Sequence, residues 1–291
     1  MIYINKEKIK DKRLCKNYVQ WDNSGKKQGS QQDRAFFING KMCTISAQRG
    51  MSKLNIVVDY ENNIFRRITI KEVEKLQTIP IDYTDCVSKE NRCNMIGNGW
   101  TVDVIKHILQ GCKMEKSGIN VLSLFDGMSC GQIALERAGF KVNNYYASEI
   151  DKYAIQVTMK NYPNTIQVGD ITKLKGSDFP HIHILMGGSP CQGFSLAGKQ
   201  LNFNDPRSAL FFEYVRLLKE VKPDYFLLEN VRMKKEYQDV ISKELGVEPI
   251  LINSALVSAQ NRKRLYWTNI PNVTQLEDKH IYLKDIIENE I

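Results

Sequence analysis

The feature that most constrains the fold is the alternation of short apolar runs with helical patterns across residues 119–269. Short apolar runs bounded by glycine or polar residues predict strands that are buried on both faces of a sheet. The predicted strands are 119–125, 145–148, 182–186, 225–228, 250–257 and 265–268. Strands that alternate with helices indicate an α/β fold, a doubly wound, Rossmann-like parallel sheet with helices on both sides.

Residues 1–66 have a different composition, which is polar and rich in Lys and Gln. Short β-like pieces at 35–38 and 54–58 predict a small, mostly irregular β domain. This part carries 13 Lys and Arg against 6 Asp and Glu, a net charge of +7 out of +8 for the whole chain. Such a concentration of positive charge fits docking of a polyanion, and it fits equally a solvated, lysine-rich surface.

Several protein classes are disfavoured by the sequence. No apolar run approaches the roughly 18 residues of a membrane span, and the segment from Met1 lacks a signal-peptide core. The seven cysteines are an odd number, and none are paired at zinc-finger spacing. We therefore expect a reduced, cytoplasmic protein without a membrane segment.

Cys191 directly follows Pro190 within a glycine-flanked segment, 187–195. The segment comes after a predicted buried strand, and the carboxyl ends of parallel strands are where reactive groups lie in such folds. Flanking glycines let the backbone turn sharply and let a ligand approach closely. The alternative is a buried cysteine in a tight turn, which a Pro-Cys pair considered alone would favour.

Acidic residues follow three consecutive predicted strands. Asp126 lies in a glycine-containing segment that opens a helix, and Glu149 and Asp170 follow the next two strands. Each acid alone is more often a surface loop residue, but three in the same register indicate a cofactor site at one edge of the sheet. Glu229 lies at the end of another predicted strand, and Arg264 lies next to the last predicted strand. Arg264 ends a basic run, for which the alternative is a solvated or phosphate-contacting turn.

The order of these motifs resembles the DNA (cytosine-5) methyltransferase family over roughly residues 66–270. The motifs are Phe-Asp-Gly at 125–127, Pro-Cys-Gln at 190–192, Glu-Asn-Val at 229–231 and Gln-x-Arg-x-Arg at 260–264. The core is similar to bacterial and phage enzymes, and details at 97–102 and 210–213 also resemble the vertebrate de novo methyltransferases. The resemblance implies transfer of a methyl group from S-adenosylmethionine to ring carbon 5 of a cytosine that is flipped out of duplex DNA.

The resemblance also implies roles for individual residues. Cys191 would attack carbon 6, Glu229 would hydrogen-bond ring nitrogen 3 and the exocyclic amine, and Arg264 would hold the carbonyl oxygen. No metal is expected, and Ser129-Cys130 replaces a Gly-Gly turn of ordinary relatives. The residues expected to contact S-adenosylmethionine are Phe125, Asp126, Gly127, Met128, Cys130, Glu149, Ile150, Asp170, Ile171, Pro190, Leu210, Asn98, Gly99 and Trp100.

The motif order departs from the family in one respect. The recognition region and the motifs that resemble 67–77 and 97–102 ordinarily come last, whereas here they come first. This order predicts a circular permutation, which a packed core tolerates when the chain ends move to surface loops. The predicted boundaries are 1–66 for target recognition, 67–112 for the core helices that close on the cofactor, 113–118 for a linker and 119–291 for the catalytic core.

The expected partner is double-stranded DNA, bound by a monomer, and a restriction endonuclease could be paired with the enzyme. Residues 26–34 are the predicted base-reading segment, and residues 192–207 are the predicted mobile loop. The alternatives are a transfer-RNA cytosine-5 methyltransferase and a catalytically silent DNA-binding relative. Amino-group methyltransferases are disfavoured because the 189–192 segment replaces their Pro-Pro-aromatic signature.

Overall fold

A computed structural model describes residues 14–15, 18–20, 34–47, 54–59, 64–190 and 206–288. The chain divides into two compact units. The first unit consists of residues 1–101, 254–262 and 277–291, and the second consists of residues 102–253 and 263–276. No helix among the described residues is both long enough and apolar enough to cross a bilayer.

The described residues form fourteen strands and seven α-helices. The strands are β1 (Leu14–Cys15), β2 (Tyr18–Gln20), β3 (Arg34–Phe37), β4 (Met42–Cys43), β5 (Ile56–Asp59), β6 (Ile64–Arg67), β7 (Ser117–Leu124), β8 (Lys141–Ser148), β9 (Ile166–Gln167), β10 (Ile184–Gly187), β11 (Tyr225–Val231), β12 (Ile250–Asn253), β13 (Gln260–Asn261) and β14 (Lys263–Thr268). The helices are α1 (Ile70–Leu76), α2 (Lys89–Asn98), α3 (Val102–Leu109), α4 (Cys130–Arg137), α5 (Lys152–Asn161), α6 (Pro206–Val221) and α7 (Lys235–Leu245).

The first unit contains a five-stranded sheet in the order β1-β2-β3-β5-β6 and a two-stranded sheet of β4 with β13. Helix α1 begins with the predicted capping box. The Thr69 hydroxyl accepts a hydrogen bond from the Glu72 backbone N–H at 3.2 Å, and the Glu72 carboxylate accepts one from the Thr69 N–H at 2.7 Å. This reciprocal pair satisfies two donors at the start of the helix, so the local signal fixes where α1 begins.

The second unit contains a seven-stranded sheet in the order β12-β14-β11-β10-β7-β8-β9. All neighbouring pairs from β11 to β9 are parallel, whereas β14 is antiparallel to both β11 and β12. The predicted α/β, doubly wound sheet is confirmed, but the expectation of a wholly parallel sheet is wrong at β14. Only residues 254–262 separate β12 from β14. This connection is shorter than the crossover of a dozen or more residues that a parallel pair needs.

Strand β7 lies at the point where the strand order reverses. From β7 the chain moves outward through β8 and β9, and it then returns to the other side of β7 as β10. In the parallel ladder Leu124 of β7 pairs with Gly187 of β10, so the two strands end together. Ligands of open α/β sheets bind in the crevice outside such paired carboxyl ends, which here carry the segments beginning at Phe125 and Gly188.

Some predicted bounds differ from those observed. Strand β7 begins at Ser117, inside the predicted linker 113–118. The predicted strand 250–257 ends at Asn253, and a 3-10 turn follows it at Ser254–Leu256. There the Ser254 backbone N–H bonds to the Arg262 carbonyl and closes the excursion between β12 and β14. The two units divide within the predicted region 67–112, whose functional boundaries stay predictions.

Candidate active site

The segment after β7 has an unusual backbone. Phe125, Gly127 and Ser129 all have positive φ, at 57°, 60° and 59°. Glycine adopts this left-handed conformation without strain, but an aromatic residue and a serine do so only when their surroundings hold them there. Strained residues of this kind cluster at ligand sites. The sequence indicated the site at this position but gave no signal of the strain.

Asp126 lies within this strained segment and is half-buried, and both of its carboxylate oxygens accept hydrogen bonds. Tyr145 donates its phenolic hydrogen to Asp126 Oδ1 at 2.7 Å, and the Ser129 hydroxyl donates to Oδ2. Burial raises the pKa of the Asp126 carboxyl to about 6, and nearby Glu149 acts in the same direction. Hydrogen bonds from Ser123, Ser129 and Tyr145 oppose this rise because they stabilise the charged form.

Glu149, directly after β8, fixes the same segment from its other side. Its Oε2 accepts a hydrogen bond from the Gly127 backbone N–H at 2.8 Å. Its Oε1 accepts from the backbone N–H groups of Ile150 and Asp151, at 2.7 and 2.8 Å. The adjacent Ile150 side chain is 77% exposed, which is unusual for a large aliphatic residue. A carboxylate beside an exposed apolar side chain suits a ribose with an attached planar base.

The remaining predicted cofactor residues of the second unit differ in accessibility. Asp170 caps a short 3-10 turn, where its Oδ1 accepts hydrogen bonds from the Thr172 N–H at 3.0 Å and hydroxyl at 2.9 Å. Hydrogen bonding from the Thr172 backbone lowers the pKa of Asp170. Met128, Cys130 and Ile171 are buried, with only 2%, 4% and 4% of their surface exposed.

Glu229 and Arg264 form an ion pair across β11 and β14. Arg264 Nε lies 2.9 Å from Glu229 Oε1, and the two side chains are only 14% and 12% exposed. In the antiparallel ladder Val231 pairs with Arg264, so Glu229 and Arg264 are diagonal neighbours on one face of the sheet. The structure thus brings together two of the three predicted catalytic residues.

Asn230 connects this pair to the end of β10. Its Nδ2 donates to the Ser189 hydroxyl at 3.2 Å, and both residues are buried. Ser189 is therefore fixed beside the β11 strand that carries Glu229, and Pro190 is the last described residue of this segment. Cys191 lies outside the described residues.

Other predicted residues lie elsewhere. Residues 26–33 of the base-reading segment and 192–205 of the mobile loop lie outside the described residues, like Cys191. Leu210 is half-buried in α6 and packs against the core of the second unit. Asn98, Gly99 and Trp100 belong to the first unit, where Asn98 is exposed and the other two are half-buried.

Arg262 was missed in the sequence, where Arg264 was the one residue of this basic run assigned to a pocket. It is 3% exposed, and its guanidinium donates to the backbone carbonyls of Ile45, Gly97 and Gly99 at 3.1, 3.1 and 2.9 Å. Gly97 itself admits no side chain, because a Cβ there would lie 2.5 Å from the Ala47 nitrogen. Arg262 therefore holds the end of α2, the turn that carries Asn98 to Trp100.

Two glutamines complete this buried network of the first unit. Gln77 Nε2 donates to the carbonyls of Ile96 and Gly99 at 2.8 and 3.1 Å. Gln260 Nε2 donates to the Leu76 carbonyl at 2.6 Å and to Gln77 Oε1 at 3.0 Å. The two glutamines lie 183 positions apart in the sequence, and their side-chain amides meet in this network.

One group of described side chains has the composition of a metal site. Ligand atoms of His181, His183 and Asp224 all lie within 4.8 Å of one another. However, His183 Nδ1 accepts a hydrogen bond from the Asn120 backbone N–H at 3.0 Å. A ring that accepts at Nδ1 carries its hydrogen on Nε2, so Nε2 has no lone pair with which to coordinate a metal ion. The group also lies beside the amino ends of β10 and β11, away from Glu229.

Comparison with known proteins identifies the family. The model of C-5 cytosine-specific DNA methylases matches residues 2–114 and 119–290, nearly the whole chain. The chain belongs to this family. The break between the two matched segments falls at 115–118, within the predicted linker.

Individual methyltransferases and solved structures match only part of the chain. The Type II methyltransferase M.NgoBV of Neisseria gonorrhoeae is 36% identical over 197 residues, 59% of this chain and 47% of its own. The orphan methyltransferase M.Rho11sI of Bacillus phage rho11s is 37% identical over 163 residues, 52% of this chain and 32% of its own. A crystal structure of a DNA modification methyltransferase from an E. coli prophage has 29% identity and a TM-score of 0.45, covering 52% of this chain and 46% of that chain. The chain thus spans about a third to a half of the length of the curated relatives it matches.

Proposed function

We propose that this chain is a cytosine-5 methyltransferase that acts on double-stranded DNA with S-adenosylmethionine as methyl donor. The observation that carries the proposal is the Glu229–Arg264 pair, fixed at 2.9 Å on adjacent strands beside the end of β10. Family membership supplies the reaction class, and this pair supplies a carboxylate and a guanidinium in a largely buried setting. Together they can contact three polar groups of one cytosine: ring nitrogen 3, the exocyclic amine and the carbonyl oxygen.

Cys191 is the proposed nucleophile. It directly follows Pro190 in the sequence, and β10, the strand that precedes this segment, pairs with β11, which carries Glu229. Cytosine carbon 5 is a poor nucleophile, and addition of the Cys191 thiolate to carbon 6 makes the ring an enamine that reacts at carbon 5. After the methyl group has been transferred, loss of the carbon 5 proton and expulsion of Cys191 restore the aromatic ring.

Glu229 and Arg264 would stabilise the charge that develops on the ring. Glu229 would bond ring nitrogen 3 and the exocyclic amine, and Arg264 would hold the carbonyl oxygen. In the present arrangement each neutralises the other, so a cytosine that enters must partly replace this contact with its own polar edge. The low exposure of both side chains means that their interactions with the base are little screened by water.

The methyl donor would lie across the carboxyl ends of β7 and β8. When bound, S-adenosylmethionine supplies an electrophilic methyl group on a positively charged sulfur. Three observations fit such a ligand: the left-handed backbone from Phe125 to Ser129, the Glu149 carboxylate and the exposed Ile150. Asp170, with one carboxylate oxygen free of the capping bonds to Thr172, would accept from the adenine amine.

The substrate is proposed to be duplex DNA. In a duplex the target carbon is shielded by stacking, so the cytosine must be flipped out to react. The basic residues 1–66 would bind the phosphate backbone, with 26–34 as the segment that reads base edges. The order of the motifs supports a circularly permuted chain.

Methyl transfer from tritium-labelled S-adenosylmethionine tests the proposal directly. Label should enter cytosines of duplex DNA and not transfer RNA, and bisulfite sequencing of DNA from expressing cells should map the sites. Cys191→Ala should reduce transfer by several orders of magnitude. The half-buried Cys86 provides a matched control, because Cys86→Ala removes a thiol far along the sequence from the proposed site. Near-normal turnover by Cys191→Ala, or label in RNA alone, would refute the proposal.

A further inference from the structure

The half-buried Asp126 has no cationic partner among the residues that the structure describes. Among the residues that the structure describes, its contacts are the hydroxyls of Ser123, Ser129 and Tyr145, and no Lys, Arg or His forms an ion pair with it. Its charged neighbour is another acid, Glu149. A desolvated carboxylate beside a second carboxylate is unfavourable unless a positive charge is supplied. The arrangement therefore suits a cationic ligand.

The direction of the Ser129 hydroxyl is fixed by its other neighbours. Gln132 Nε2 donates to Ser129 Oγ at 3.2 Å, and the Thr158 hydroxyl lies at 3.2 Å from the same oxygen. An amide N–H can only donate, so Ser129 accepts from Gln132 and has its single proton available for Asp126. Ser129 is fully buried, which removes water as a competing partner.

The Tyr145 hydroxyl reaches the other oxygen of the same carboxylate. Tyr145 lies in β8, is 3% exposed and donates to Asp126 Oδ1 at 2.7 Å. Tyr145 and Ser129 thus bond different oxygens of Asp126 from two different elements, and Ser123 also bonds the carboxylate. Both donors favour the charged form of the carboxyl group over the neutral form.

We propose that Ser129 and Tyr145 are positioning residues, which keep Asp126 anionic and oriented toward a positively charged group of the bound methyl donor. The inference rests on the proposed function, because S-adenosylmethionine carries a cationic sulfonium and a cationic amine. Ser129 has a left-handed backbone, which is strained for serine but not for glycine. Glycine at this position would have no hydroxyl to donate to Asp126. A purely structural role for Asp126 predicts no link between its charge and ligand binding.

Calorimetry separates these two roles. Free Asp126 has a pKa near 6 because burial raises it, whereas a bound cation would lower that pKa. Binding of S-adenosylmethionine at pH 6 should therefore release about half a proton per site, and at pH 8 almost none. The number is measured by titration calorimetry in two buffers of different ionisation enthalpy. Affinity should rise as the pH is increased through 6 and then become constant.

Variants test the two hydroxyls. Tyr145→Phe and Ser129→Ala should each raise the pH at which binding releases a proton by about one unit. Each variant removes one hydrogen bond that stabilises the charged form of Asp126, so its pKa rises. Ser129→Gly should match Ser129→Ala in this shift, although it relieves the backbone strain. Tyr146→Phe is the matched control, because the neighbouring Tyr146 packs on Phe179 and should leave the release unchanged.

The outcomes also identify the cation. S-adenosylhomocysteine retains the amine but has no charge on sulfur, so equal proton release with both ligands assigns the amine, and release with S-adenosylmethionine alone assigns the sulfonium. Tight binding with no proton release at pH 6, or release that the Tyr145 and Ser129 variants leave unmoved while thermal unfolding shows them folded, would refute the inference. DNA methylation without proton release would refute only the inference about Asp126. Proton release without DNA methylation would refute only the proposed function.

Discussion

Replacing Asp126 with asparagine should stabilise the ligand-free protein at neutral and alkaline pH. Burial raises the pKa of Asp126 from 3.8 to about 6. The folded state therefore holds this proton more tightly than the unfolded state does. Stability from protonated Asp126 is fully present below pH 3.8 and is lost as the pH rises through 6. Asparagine cannot ionise, so the variant escapes that loss.

The magnitude follows from the size of the shift. A pKa rise of about two units means that ionised Asp126 lowers the free energy of unfolding by about 3 kcal/mol at pH 8. At pH 5 the loss is about half of that, because the carboxyl is still largely protonated in the folded state but ionised in the unfolded state. Either Tyr145 or Ser129 can still donate to the asparagine oxygen, but the hydroxyl that faces the amide nitrogen must accept a hydrogen bond instead. A net gain of about 1–3 kcal/mol is therefore expected at pH 8.

Urea unfolding of Asp126→Asn and the parent chain at pH 5 and pH 8 measures this difference. The control is Asp239→Asn, since Asp239 pairs with Lys235 on the surface and contributes about 1 kcal/mol or less at either pH. A variant that is less stable than the parent at pH 8, or a difference that is the same at both pH values, would show that Asp126 is not a desolvated acid.

Three further changes test the first unit and the order of the chain. Arg262→Met should lower the free energy of unfolding by about 3 kcal/mol or more, because it leaves buried carbonyls without their charged donor. The control Arg137→Met should lower it by about 1 kcal/mol or less, because the partner Asp103 is partly exposed. Urea unfolding measures both. Gly97→Ala should lower the thermal midpoint, because its Cβ would lie 2.5 Å from a backbone nitrogen, and an unchanged midpoint would contradict the close packing. Fragments 1–113 and 114–291 should each lack full structure and recover circular dichroism and methyl transfer when mixed; no recovery at high concentration would count against a permuted, two-piece origin.

Elements with strong local signals were predictable from the sequence. The capping box of Thr69 and Glu72 placed the start of α1 within the chain, and apolar runs located β7, β10 and β11. The antiparallel direction of β14 was missed, because an apolar run alone does not encode direction. The short connection at 254–262 does encode it, since it is too short for the crossover that a parallel pair with β12 would need.

The candidate site shows the same division. Asp126 and Glu149 were placed at strand ends correctly, because the register of successive strands is a regular feature of α/β sheets. Arg262 and Arg264 are two residues apart in one polar run, yet one binds three backbone carbonyls in the first unit and the other pairs with Glu229 in the second. Their separate roles depend on where the chain passes between the units, which no periodicity of the run reveals.

The packing of the first unit shows why motif order can change while a fold persists. Gln260 bonds to the carbonyl of Leu76, a residue 184 positions away, and the Glu288 backbone N–H bonds to the Glu72 carboxylate across 216 positions. Such contacts depend on the geometry of the folded unit and not on which segment comes first. Chain order enters mainly through loop-closure entropy, which grows only slowly with loop length. Moving a motif from one end of the sequence to the other therefore changes the closure cost by little, whereas replacing Gln260 or Glu72 removes a buried polar partner at full cost.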